Sequence, residues 1–280
     1  MIDNTPFFLL GAARSGTTML RLMLNRHSRL AIPFESHFLR LVFEKLPTER
    51  PFTSTEVNQM VDLIVTERNF STWHLNPDEV RHTLLGLAPA PLNILVDALF
   101  HMEIAASKKP RWGDKTPVYY HCWQKLMALF PGSKLVHIIR DGRDVVRSLQ
   151  QVGWHGPTAD DRARYWLQRV EMAQEATRQL GPERNLIIQY EDLVLQTQAT
   201  LKRLCDFLQE SFEVAMLNFY EDSDHYISDI DGQVHGKLGR PPRPEDVHRW
   251  RTEMPQAEQM RFEAVAGKGL RLMSYPCRFS

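Results

Sequence analysis

The stretch FFLLGAARSGTTMLRLML, starting at Phe7, limits what this chain can fold into more than any other part of it. Phe7, Phe8, Leu9 and Leu10 form a short apolar run stopped by Gly11, the pattern of a strand buried in a sheet covered on both faces. From Thr17 to His27 the apolar residues Leu20, Met23 and Leu24 recur at helical spacing. Strand, glycine loop and helix in that order present backbone N–H groups and a helix N-terminus to an anion. The loop Gly11-Ala12-Ala13-Arg14-Ser15-Gly16-Thr17-Thr18 has the G-x-x-x-x-G spacing of a phosphate-binding loop, but Thr17 stands where nucleoside-triphosphate hydrolases carry lysine. The cation is instead at Arg14. Two hydroxyls and a helix N-terminus suit a phosphate, whereas a triphosphate–magnesium complex lacks its usual lysine. Taken alone, the motif is equally compatible with a glycine turn that binds nothing.

The rest of the chain repeats the alternation. Lys134–Ile139 and Asn185–Gln189 read as further strands. Helical patterns run over Glu35–Leu46, Ser54–Arg68 with Ser54 as N-cap, from Asn76-Pro77, and over Pro91–Ala106. Others run from Thr116-Pro117 to Phe130, and over Asp141–Val152, Thr158–Leu180, Val194–Gln209 and Pro255–Ala266. Strands alternating with helices predict an α/β fold with a central parallel β-sheet flanked by helices. The 280 residues are read as a single domain, 1–280, in which 221–245, rich in Asp, Gly, Pro and His, forms a long loop and a candidate lid.

Composition narrows the partners. Lys+Arg and Asp+Glu are both 34, so the net charge is zero and bulk binding of nucleic acid or anionic membrane has no support. Three cysteines, Cys122, Cys205 and Cys277, make no disulfide framework, and no Cys/His spacing calls for a metal, so none is expected. Asp3 and Arg14 break any signal-peptide pattern, and no apolar stretch approaches the length of a membrane span. The expectation is a cytoplasmic enzyme.

Two segments carry a family resemblance. GAARSGTTMLRLMLNRHS resembles the 5′-phosphosulfate loop of the sulfotransferases that use 3′-phosphoadenosine 5′-phosphosulfate (PAPS). KLVHIIRDGRDVVRSL is similar to that family's 3′-phosphate motif, a strand ending in Arg with Ser eight residues on, here Arg140 and Ser148. IIQYEDLV is similar to a third segment, and the R-S-G-T-T loop places the likeness nearest the bacterial and tyrosylprotein-type branch. The resemblance implies a P-loop nucleotide-kinase-like, three-layer fold, PAPS as co-substrate and adenosine 3′,5′-bisphosphate (PAP) as product. It makes 46–110 a helical insertion on the acceptor side. It assigns donor binding to Arg14, Ser15, Gly16, Thr17, Thr18, Arg140, Ser148 and Tyr190, with Arg249 beside Trp250 as a looser match. A guanidinium fork suits a phosphate, although Arg140 is also placed for an ion pair with Asp141 or Asp144.

The same resemblance makes Glu35 the base that takes the acceptor's proton, with His37 as rival because other branches use His. A Glu at a helix start has a lowered proton affinity and needs compensating burial, and it also serves as a plain helix cap. Arg14 and Lys115 are the charges expected near the transferred group, the alternative for Lys115 being a pair with Asp114. Trp73, Trp112 and Trp154 are candidates for an acceptor pocket or for the core. The acceptor, whether small molecule, sugar, lipid or peptide, and hydroxyl or amine, is left open, as is homo-oligomer formation. The competing readings are a P-loop kinase or other phosphotransferase and a non-catalytic nucleotide-binding protein.

Overall fold

The computed structural model describes residues 4–226 and 238–279. Five strands, β1 (Phe7–Gly11), β2 (Leu30–Ala31), β3 (Arg111–Lys115), β4 (Lys134–Ile139) and β5 (Asn185–Gln189), form one sheet in the order β2-β3-β1-β4-β5. The registered pairs β2·β3 and β4·β5 are parallel, with Leu30 opposite Arg111 and Leu135 opposite Asn185. The helices are α1 (Thr17–Asn25), α2 (Phe38–Lys45), α3 (Ser54–Val65), α4 (Pro77–Leu87), α5 (Leu92–Ile104) and α6 (Trp123–Leu129). They continue with α7 (Gly142–Val152), α8 (Ala159–Leu180), α9 (Tyr190–Leu195), α10 (Thr197–Leu208), α11 (Trp250–Glu253) and α12 (Gln256–Leu272). The expected α/β architecture with a central parallel sheet is what the chain adopts.

Contacts divide the chain into two compact units, one of residues 1–8 and 27–134, the other of residues 9–26 and 135–280. In the first, β2 and β3 lie beside an aromatic core. The Trp112 and Phe100 rings stack at 4.0 Å, and Trp73 meets Phe100 edge-on at 5.1 Å. Each indole N–H finds an acceptor, Trp73 at the Phe34 carbonyl (3.1 Å) and Trp112 at Asp97 Oδ1 (2.8 Å). These two tryptophans are therefore core, while Trp154 is exposed. Several boundaries move. Thr53, not Ser54, caps α3 in a capping box with Glu56, and Thr116-Pro117 opens a 3-10 helix (Pro117–His121) ahead of α6. Asn76 caps α4 by accepting from the Asp78 and Glu79 amides.

In the second unit, α8 packs along α7 and α12. Trp166, Trp250, Phe262 and Leu149 lie in the core between them. Trp166 Nε1 donates to the Arg140 carbonyl at 2.9 Å, which fixes the turn leaving β4. Gly142 is required there, because a Cβ would sit 2.4 Å from the Trp166 ring. The single helix expected over Val194–Gln209 is two, α9 and α10, and α12 runs six residues past Ala266 to Leu272. Of the stretch 221–245, residues 227–237 lie outside the described residues. The 3-10 helix Val214–Tyr226 reaches into it from one side and Pro244–Asp246 closes it on the other. No described helix is long and apolar enough to cross a membrane.

Candidate active site

The glycine loop lies wholly in the second unit. It leaves β1 at Gly11 and enters α1 at Thr17. Gly16 sits at φ 90°, and a Cβ there would stand 2.5 Å from the Tyr190 ring, so both backbone and neighbour demand glycine. Arg14 also takes a left-handed conformation, φ 69°. That is an unfavourable state for a residue with a Cβ, costing roughly 1–2 kcal/mol, and it turns the guanidinium so that Nε donates to Ser148 Oγ at 3.0 Å. Two turns along α7, Ser148 thus meets the loop through Arg14.

Arg140, the residue after β4, completes the same wall. Its guanidinium lies 4.6 Å from the Tyr190 ring centre and donates to the Asp246 carbonyl (3.0 Å) and Asp144 Oδ2 (3.3 Å). Burial disfavours the Arg140 charge, but the Tyr190 hydroxyl, Asp144 and Glu191 outweigh it and hold the group more firmly protonated than usual. The alternative raised for Arg140, an ion pair with Asp144, is formed, and the side chain still borders a cavity of about 280 Å³. Arg14, Gly16, Thr17, Thr18, Ser148, Tyr190 and Arg249 border the same cavity. Ser15 does not. It is buried, and its hydroxyl has no hydrogen-bond partner among the described residues.

Sequence reasoning missed the rest of this wall. Arg147 and Arg240 line the cavity together with Asp144 and Asp246. Arg240 is gripped by both oxygens of Asp246 (2.8 and 2.9 Å), and Glu253 holds both Arg147 and Arg249. Each is a charge in the sequence, but nothing local reveals which acid meets which arginine.

The other candidate residues belong to the first unit. Glu35 is not at a helix start, since α2 begins at Phe38 and His37 is its N-cap, in a left-handed conformation with φ 52°. The helix dipole is thus not what governs Glu35. Lys115, at the end of β3 and buried, donates to Glu35 Oε1, and His37 Nε2 lies 2.8 Å from Oε2. Burial pushes the Glu35 carboxyl up, but the Lys115 charge and the His37 hydrogen bond prevail and bring it down to about 2. The expected alternative for Lys115, a pair with Asp114, is not formed. Asp114 instead accepts from Ser36 Oγ and Thr116 Oγ1, both at 2.6 Å, and its burial raises it to about 6. Among the described residues no group of three or more His, Cys, Asp or Glu is placed to hold a metal ion.

Residues 6–214 match the model of the Sulfotransferase family. A Drosophila melanogaster protein-tyrosine sulfotransferase is 25% identical over 89% of this chain and 47% of its own length, so the chain spans about half the length of that relative. Among solved structures, the sulfotransferase domain of the Synechococcus PCC 7002 olefin synthase superposes with a TM-score of 0.69 at 22% identity, covering 99% of this chain and 98% of that one. The sulfotransferase domain from the curacin biosynthetic pathway gives 0.67 at 22% identity, covering 99% of each chain. These likenesses describe the fold, and the family model covers well over half of the sequence. The chain belongs to the sulfotransferase family.

Proposed function

We propose that the protein transfers a sulfuryl group from PAPS to a hydroxyl or amine of an acceptor. One observation carries this reading: the Arg14–Thr18 loop and the Arg140/Ser148 pair border a single cavity. PAPS carries anionic groups at its 5′ and 3′ positions and needs two cation-rich cradles. The loop, with the α1 N-terminus, Thr17 and Thr18, suits the 5′-phosphosulfate. Arg140 and Ser148 suit the 3′-phosphate, and Tyr190, beneath the Arg140 guanidinium, offers a face to the adenosine. Arg249, paired with Glu253, adds charge at the rim.

In this reading Glu35 accepts the acceptor's proton while the acceptor atom bonds to sulfur. The sulfur–oxygen bond to the 5′-phosphate breaks, and PAP leaves with the electron pair. Arg14 and Lys115 stabilise the charge on the sulfuryl and bridging oxygens. A proton affinity as low as that of Glu35 is compatible with a loose transition state, as in phosphoryl transfer, because the acceptor then keeps its proton until late. Any engagement of Lys115 by another anion frees the carboxylate and raises its affinity for a proton. His37, hydrogen-bonded to Glu35, is placed to orient it, which supports Glu35 over His37 as the base in this reading. The fly relative's name makes a phenolic hydroxyl the first acceptor class to assay.

Thermal unfolding with PAP against ATP–Mg²⁺ tests the donor. PAP is expected to raise the unfolding temperature, with about 2.7 kcal/mol of stabilisation at a hundredfold excess over its dissociation constant. A shift with ATP–Mg²⁺ and none with PAP would sink the reading.

A further inference from the structure

We propose that Asp114 is the positioning residue of the Glu35–Lys115 pair, clamping the turn that carries Glu35 to the end of β3 through the hydroxyls of Ser36 and Thr116. This rests on the roles given to Glu35 and Lys115 above.

The wiring around Asp114 has a single consistent direction. Ser36 Oγ donates to Asp114 Oδ2 and Thr116 Oγ1 donates to Oδ1. With its proton so committed, Ser36 Oγ accepts from the Tyr119 hydroxyl, 2.6 Å away, and that hydroxyl in turn accepts from the Leu39 amide at 3.1 Å. Thr116 Oγ1 also accepts from the Ser36 amide at 2.9 Å. The turn is thus tied on both sides of His37, to Thr116 at the end of β3 through the Ser36 amide before it and to Tyr119 of the following 3-10 helix through the Leu39 amide after it. That over-determination holds His37 in its left-handed conformation and its ring against Glu35.

Two rungs join the same two segments. Asp114 binds Ser36, and the next residue, Lys115, binds Glu35, the residue before Ser36. Slackening the first rung moves the second. The chemistry of position 114 is also specific. Two hydroxyl donors need a group with two acceptor oxygens and no proton of its own, which is a carboxylate; an amide would turn an N–H toward one of them. Asp114 is 2% exposed and both its bonded partners are hydroxyls rather than cations. Such a group is costly to bury and adds little that a neutral core residue would not, unless it sets a geometry.

The test reads Glu35 directly. The protein is labelled with 13C at glutamate carboxyls, and the Glu35 signal is assigned by its loss in Glu35→Gln. In the intact protein this signal is expected to titrate at about 2. In Ser36→Ala and Thr116→Val the midpoint is expected to rise by about 1 unit or more, as contact with Lys115 loosens. Thr116→Ser, which keeps the hydroxyl, restores the low value. Asp114→Asn is read by kinetics at neutral pH, where Asp114 is ionised, because burial raises Asp114 to about 6 and it is already protonated where Glu35 titrates. Kinetics follow the same variants, normalised to PAP-binding sites so that misfolded molecules do not count. The kcat per site is expected to fall about 10- to 100-fold, by analogy with the loss on removing the hydrogen-bonding partners of metal ligands, while the donor KM stays within about twofold. A Glu35 midpoint that does not rise, or a kcat per site that does not fall, overturns the proposal. If the intact protein transfers no sulfuryl group to any acceptor, the functional reading fails, and the titrations of Ser36→Ala and Thr116→Val still decide whether the clamp holds Glu35 against Lys115.

Discussion

The cavity wall of the second unit and the Glu35–Lys115 cluster of the first use charge in opposite ways. The cavity is bordered by several arginines, most of them restrained by acids: Arg140 by Asp144, Arg240 by Asp246, and Arg147 and Arg249 together by Glu253. The duty is shared, and the guanidinium groups stay charged at any ordinary pH. The Glu35 cluster has one lysine, one carboxylate and one imidazole, supported from below by a chain of hydroxyls ending on one buried aspartate. Nothing there is duplicated. A site built to hold an anion tolerates redundancy, whereas a site built to move a proton depends on single atoms. Substitutions should therefore give graded losses in the first kind of region and abrupt ones in the second.

The largest expected effect falls in the cluster. Glu35→Gln keeps the shape and removes the proton acceptor. A labelled-sulfate transfer assay is expected to show kcat reduced by about 10²- to 10⁴-fold, the usual contribution of a general base, with PAP affinity unchanged. Full activity in that variant would remove Glu35 from the mechanism and abolish the contrast between the two regions.

The cavity wall predicts a smaller loss, and one of binding. Arg140→Ala removes a charged hydrogen-bond donor worth about 1.5–3 kcal/mol, hence roughly a 10- to 100-fold weaker PAP affinity by calorimetry. Arg140→Lys is expected to recover only part of it, since an ammonium has no planar fork. If Arg140→Ala binds PAP as tightly as the intact chain, the cavity is not where the 3′-phosphate sits.

The same contrast explains what the sequence revealed. The glycine loop, Arg140 and Ser148 are local patterns on a strand–loop–helix scaffold, and β4 and β5 have the bounds their apolar runs predict. Strand β3 went unread because RWGDK has no apolar run or alternation, although all five residues are buried. Its polar groups are compatible with burial only through partners such as Ser36, far away in sequence. Glu35 and Lys115 stand 80 residues apart, so their pairing, and with it the true cause of the low Glu35 proton affinity, required the tertiary fold. The capping box of Thr53 and Glu56 was legible as T-x-x-E, but the adjacent Ser54 is an equally good hydroxyl cap, and only geometry chooses between them.

The smallest effect separates the two regions by acid. Glu35 titrates near 2 in the folded chain, against an ordinary 4.5. A carboxylate with a depressed folded value contributes stability above its unfolded value, and that contribution is lost as pH falls through the folded one. The window is therefore from about 4.5 down to about 2. With the side chain 28% exposed, solvent screening reduces the contribution to about 1–2 kcal/mol. Equilibrium unfolding of the intact chain and of Glu35→Gln should differ by this amount at neutral pH, partly because Lys115 loses its partner. The two curves should converge as the carboxyl of the intact chain becomes protonated. Arg140→Ala, compared in the same way, should show no change in slope of its own across that window. A Glu35→Gln difference that persists undiminished at the acid end would mean that the stability lies in packing around residue 35 rather than in the ion pair, and the cluster would then be no more sensitive to protons than the arginine wall.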